Sequence, residues 1–297
     1  MKLFSLLDYL AEPAASAEAA VPRRALLRQL GQAAAATLPL SLLGPAVAQA
    51  GPAATLDNLT LLLRAERTQA AFYARALAVS GLLTGSLRAD VQRLQSQQQD
   101  HIGFLSTALT NSGVTVPTAP TSYDFTGIRG GRILFPKALS DVAGFLDLAQ
   151  QLEDAGVRTY LGQLVLLTAD RALLGAVQRL SAVESRHAAH VRQLRRRAAL
   201  LASTPLVKTW PSANDAAPAN PLSYLPALGL TPSKPPVLTT LYAGEANEQQ
   251  FIAGYKQIPF NALLQGDFVV QSVTIAEAFD EPLSTADAGI IWSLFAD

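Results

Sequence analysis

The chain contains no cysteine. Disulfides, thiolate metal sites and cysteine nucleophiles are therefore excluded. Charge is sparse: 15% of the residues are Asp, Glu, Lys or Arg, and 23 acids balance 23 bases. A chain with no basic excess lacks the electrostatic footprint of a nucleic-acid binder. There is no Gly-rich phosphate loop, no defensible Ser/His/Asp arrangement, and no internal repeat beyond a likeness between helix pairs. What is present is apolar: 297 residues, 49% hydrophobic and rich in Ala and Leu. That composition favours helices and suffices for one good core with room for a second small unit.

Residues 1–50 read as a signal or targeting segment. An arginine pair, Arg23 and Arg24, precedes an apolar stretch that ends in Ala48-Gln49-Ala50, a charged region followed by an apolar region and a small-x-small cleavage site. PRRALLR also resembles the twin-arginine export consensus, with Pro22 where Ser or Thr is usual, Leu26 in place of Phe and Arg28 in place of Lys. An N-terminal anchor helix is the alternative. Pro39 and Pro45 interrupt the stretch, so it does not read as a permanent transmembrane span. The expectation is export to the periplasm or cell envelope, with no stable span once the segment is processed.

Four long stretches carry helical periodicity, at about 56–80, 87–112, 140–167 and 170–201. Ser140 is the expected cap of the third and Asp170 of the fourth. The joins are short except between the second and third, where GVTVPTAPTSYDFTGIRGGRILFPKA spans the gap that a crossover between parallel helices requires. Two helix pairs with one long middle connection are the topology of an all-α, ferritin-like four-helix bundle. The bundle is expected over 51–202. Residues 203–297 form a C-terminal extension, Pro-rich at first, then mixed with short helices, the last from Ser284 to Phe295.

The informative feature is where acids and histidines fall on each apolar stripe. The fourth helix steps through Leu173, Val177, Leu180, Glu184, His187, Val191 and Leu194 in threes and fours, which places all seven on one face. The third steps through Val142, Leu146, Ala149, Glu153, Val157, Tyr160 and Leu164. The first steps through Leu59, Leu62, Glu66, Gln69, Tyr73 and Leu77, and the second through Val91, Leu94, Gln98, His101, Leu105 and Ala108. An unpaired carboxylate in a core costs several kcal/mol or neutralises itself. Taken alone, each acid reads more readily as a misphased surface residue. Four helices that each place a ligand-type group near mid-length share one reason to bury them, a cation. Glutamate oxygens and imidazole nitrogens suit iron, manganese or zinc.

The order also matches a known arrangement, one Glu from each of two helices and Glu-x-x-His from each of the other two. Glu66 and Glu153 fill the single-Glu roles, and Glu184-Ser185-Arg186-His187 is a complete Glu-x-x-His. Gln98-Gln99-Asp100-His101 is the same motif with Gln for Glu. On these residues the chain resembles exported bacterial proteins with a ferritin-like domain. LLLRAERTQAAFYARAL, QQQDHIGFL, LEDAGVRTYLGQ and VESRHAAHVRQLRR carry the resemblance, with LYAGE (241–245) and EAFDEPL (277–283) in the tail. It implies a four-helix bundle with a dimetal carboxylate site, in which the Glu of each Glu-x-x-His commonly bridges two metals. Gln98 departs from that pattern.

Two divalent ions bring four positive charges, and Glu66, Glu153 and Glu184 return only three. Gln is neutral and bridges poorly, and Asp100 lies about 100° around the helix from His101. Three outcomes stay open: two metals held more weakly with hydroxide or an external anion, one metal around Glu153, Glu184 and His187 with help from Glu66, or a degenerate site. The expected cofactor is iron or manganese, one or two ions per chain. The expected reaction is that of a redox protein meeting dioxygen or peroxide, as a ferroxidase, peroxidase or catalase-like enzyme. The rival readings are a non-catalytic envelope or stress protein and an interaction module, with a homodimer the assembly allowed for.

Tyr73 and Tyr160 follow Glu66 and Glu153 by two turns and read as core tyrosines, or as partners of the ligands. His190 reads as a surface or supporting residue. Arg192, Arg195, Arg196 and Arg197 read as a solvated helix end that favours the dipole. Glu277, Asp280 and Glu281 read as caps or salt-bridge partners.

Overall fold

The computed structural model describes residues 52–126, 133, 135–167, 170–201, 207–212, 249–252, 256–259 and 282–296. The targeting segment, LYAGE, Glu277, Asp280, Glu281 and most of the apolar runs at 258–279 lie outside the described residues.

Four helices carry the fold: α1 (Pro52–Ala78), α2 (Gly85–Asn111), α3 (Val142–Leu164) and α4 (Arg171–Leu201). The cap of α3 is Asp141 rather than Ser140. Its Oδ1 accepts the backbone N–H of Gly144 at 2.7 Å, whereas the N–H of Ser140 is still spent in the preceding turn on Lys137 O at 3.2 Å. Asp170 caps α4 as its chemistry suggests, accepting from the N–H groups of Ala172 and Leu173 at 3.0 and 2.9 Å.

α1 packs on α2, α3 on α4, and α1 on α3. Cross-bundle bonds give the directions. Tyr73 meets Glu153 while Tyr160 meets Glu66, so α1 and α3 run antiparallel. Gln97 meets His187 while Asp90 meets His190, so α2 and α4 do too. The short α1–α2 and α3–α4 joins fix antiparallel pairs, and the long 112–141 connection therefore links two parallel helices.

The core falls into two apolar clusters. One is aromatic, built on Phe72, Tyr73, Phe125, Phe145, Trp292 and Phe295. The other is mostly aliphatic, built on Leu59, Leu62, Leu63, Leu105, Leu109 and Val177, and includes Tyr160. The stripe acids and histidines lie between them along the chain.

The extension contributes α5 (Thr285–Ser293), with Ser284 as its cap, and an antiparallel pair, β1 (Gln249–Ile252) with β2 (Lys256–Pro259), the only strand pair among the described residues. α5 lies on α1 and α3. Leu283 N–H donates to Arg158 O at 2.9 Å, Thr285 Oγ1 to Gln163 Oε1 at 3.1 Å, and Trp292 Nε1 to Thr159 Oγ1 at 3.0 Å. Gly162 permits this approach, because a Cβ there would overlap the carbonyl oxygen of Leu283. With α5 in place, α3 is buried without a break from Leu148 to Tyr160.

The arginine run of α4 is not a solvated end. The helix continues to Leu201, and Arg192 is only 1% exposed. Its Nε and Nη2 donate to Asp154 Oδ1 and Oδ2 at 3.1 and 2.6 Å, and its Nη1 to Lys208 O and Trp210 O at 3.3 and 3.0 Å. Arg195 pairs with Asp147 and bonds Gln150, and Arg196 donates to Val207 O at 2.6 Å. These side chains are occupied by α3 and by the segment after α4. Arg197 alone of the four is exposed.

Candidate metal centre

Each helix brings its polar stripe residue into one buried cluster. Glu66, Gln98, Glu153 and Glu184 are wholly enclosed, and His101 and His187 nearly so. The ligand-type atoms form two triads, Glu66–His101–Glu184 and Glu153–Glu184–His187, and Glu184 belongs to both. Its Oε1 lies 3.1 Å from His101 Nδ1 and 3.2 Å from His187 Nδ1. Glu66 Oε2 is 3.3 Å from His101 Nδ1, and Glu153 Oε2 is 3.8 Å from His187 Nδ1. The two imidazole rings stack at 17° with centroids 5.9 Å apart.

The surrounding bonds orient these groups. Tyr160 Oη donates to Glu66 Oε1 at 2.5 Å, and Tyr73 Oη donates to Glu153 Oε1. Burial, then the neighbouring carboxylates, pushes both phenols well above their ordinary range, so each stays protonated and donates. In each acid one oxygen is thus tied down and Oε2 faces the cluster. His187 Nε2 meets Gln97 Oε1 at 2.7 Å, so Nε2 carries a proton and Nδ1 is the ring nitrogen left to face the cluster. His190 stands apart on Asp90 at 3.6 Å, and Asp100 is exposed.

Without a cation the cluster must share protons. Burial and then the charge of Glu184 raise Glu66 to about 7, and the same two causes push Glu153 well above the carboxylate range. Glu184 goes the other way. Burial would raise it, but the hydrogen bonds and the charges of His101 and His187 together outweigh burial and hold it at about 2. Burial would likewise lower His101, yet its bonds to Glu184 and Glu66 raise it to about 10. One fully ionised carboxylate is left between two whose charge is suppressed.

A cation fits these groups on three counts. Glu153 Oε2 is buried and accepts no hydrogen bond. The Gln98 carbonyl faces Glu66 Oε2 and Glu184 Oε1, acceptor against acceptors, an arrangement that a cation relieves and that otherwise needs a proton on Glu66 or a rotated amide. The donors are carboxylate oxygens and imidazole nitrogens, a set that suits iron, manganese or zinc.

Three neighbours were not singled out by the stripe argument. Gln69 Nε2 donates to Glu184 Oε2 at 3.3 Å, Gln97 orients His187, and Gly156 leaves the space that Gln69 and Glu184 fill. Their one sequence signal is spacing: Gln69 and Gly156 follow Glu66 and Glu153 by three residues, the interval that separates Glu184 from His187.

Residues 54–197 match the family model described as ferritin-like domain. The chain carries a ferritin-like domain. No curated protein matches the chain. The ferritin-like domain takes in α2, α3, nearly all of α1 and α4, and every residue of the two triads. Its buried carboxylates and histidines have the composition and the proximity to bind metal.

Proposed function

We propose that the chain is an exported redox protein whose ferritin-like domain holds two divalent first-row metal ions, iron or manganese. The observation that carries this reading is the pair of buried triads that share Glu184. Glu66, His101 and Glu184 would hold one ion, and Glu153, Glu184 and His187 the other. Bound there, the metals would supply electrons to dioxygen or peroxide. The protein's own part is to bind and orient. Tyr160 and Tyr73 keep Glu66 and Glu153 turned inward, Gln97 fixes the His187 tautomer, and the apolar clusters on either side limit water. The two phenols are also the oxidisable side chains nearest the acids, which suits a role in electron transfer. Export is supported by Arg23, Arg24 and the following apolar stretch; no helix among the described residues is long and apolar enough to cross a membrane.

Gln98 favours a second reading, a non-catalytic envelope or stress protein that binds metal weakly, because a neutral amide stands where a fourth charge would balance two ions. Anaerobic ferrous titration followed by exposure to oxygen separates the two. Two ions per chain with oxygen-dependent oxidation support the redox protein. Binding without turnover supports the second reading, and no stoichiometric metal at excess defeats both.

A further inference from the structure

The two oxygens of Glu184 face different partners. Oε1 meets both histidines, at 3.1 and 3.2 Å. Oε2 meets two amides, Gln69 Nε2 at 3.3 Å and Gln98 Nε2 at 3.4 Å. We infer that Gln69, assisted by Gln98, is a positioning residue that holds Glu184 by Oε2 and so presents the single oxygen Oε1 to both halves of the site. This inference rests on the paired-triad reading above.

A carboxylate turns readily about its last bond, where the torsional wells are broad and two-fold. Donors aimed at one oxygen remove that freedom. Gln69 is itself fixed, since the same Nε2 also donates to Leu152 O at 3.3 Å. Its Oε1 is buried with no hydrogen-bond partner, so the side chain is placed by its donor end at the expense of its acceptor. Gly156 shapes the slot. A Cβ there would stand 2.8 Å from Gln69 Nε2 and 3.2 Å from Glu184 Oε2, too near for both to remain. The Gln98 amide turned over would reach Glu66 Oε2 and, at 3.3 Å, Glu184 Oε1. Gln69 therefore carries the hold on Oε2. Gln98 gives up the charge of a second bridging carboxylate and adds an N–H directed at the one that is present.

The test is anaerobic equilibrium dialysis of the full chain against Mn2+, with electron paramagnetic resonance of the loaded protein. Wild type is expected to take two ions per chain with a coupled signal. Gln69→Leu, similar in bulk but without the donor, should keep one ion, bind the second at least about tenfold more weakly and alter the coupled signal. Gln69→Met, also similar in bulk and without a donor, should do the same, so that either variant can decide if the other fails to fold. Wild-type affinity and an unchanged signal in the folded variants would overturn the role of Gln69 while leaving the two triads intact. Absence of stoichiometric Mn2+ from wild type would overturn the triad reading itself.

Discussion

Glu184 is shared between the triads whereas Glu66 and Glu153 are not, and single substitutions should separate the two kinds of acid. Glu66→Gln and Glu153→Gln should each lose one ion and keep the other. Glu184→Gln should lose both, with affinity down by about two orders of magnitude or more. Equal losses in all three variants, read by dialysis, would argue against the shared position. Gln98→Glu restores the fourth carboxylate and should tighten the second ion by about tenfold or more in the same assay, because two like charges in a low dielectric then gain a counter-charge. At this scale the acids and histidines were legible in the sequence, since each interrupts an apolar stripe at steps of three and four. Gln69 stood on the same stripe with only its spacing from Glu66 as a signal. A neutral amide in a core carries no charge that demands an explanation, and only its contact with Glu184 Oε2 reveals its use.

The third helix shows what periodicity alone leaves out. Its apolar stripe is regular, but it says nothing of what covers the face outside it, which carries Gln150, Asp154, Arg158, Thr159 and Gln163. In the fold that face is covered by α5, by Arg192 and by Arg195. The four helices were legible because each period is long and local. The cover was not, because its covering residues lie up to 133 positions away. The arginine run was misread for the same reason. Trp292→Ala removes a wholly buried indole and its bond to Thr159, and should cost about 3–5 kcal/mol in denaturant unfolding. Asp154→Ala leaves the guanidinium of Arg192 buried without its carboxylate and should cost about 3–5 kcal/mol. Losses under about 1 kcal/mol in both would mean that the cover is dispensable for the bundle.

For the molecule as a whole, protons and metal compete for one cluster, and the competition has a definite sign. In the metal-free protein Glu66 is raised to about 7 from 4.5, so its contribution to stability is complete below pH 4.5 and is lost as pH rises through 7. His101, raised to about 10 from 6.5, acts in the same direction, complete below pH 6.5 and lost as pH rises through 10. Glu184, lowered to about 2, contributes stability that is present above pH 4.5 and lost only as pH falls through 2, outside that window. The metal-free protein should therefore weaken steadily as the solution turns alkaline. Metal runs the other way, because bound ligands must shed their protons and affinity rises with pH. Binding to the native state alone stabilises it, by about 2.7 kcal/mol at a free concentration a hundredfold above Kd. The gap in Tm between protein with excess Mn2+ and protein with chelator should accordingly widen from about pH 5.5 to about pH 8.5. Calorimetry at intermediate pH in buffers of different ionisation enthalpy should show protons released as metal enters. A gap that is constant over this range, or no proton release, would mean that the cation binds elsewhere and that these buried acids are balanced by protons alone.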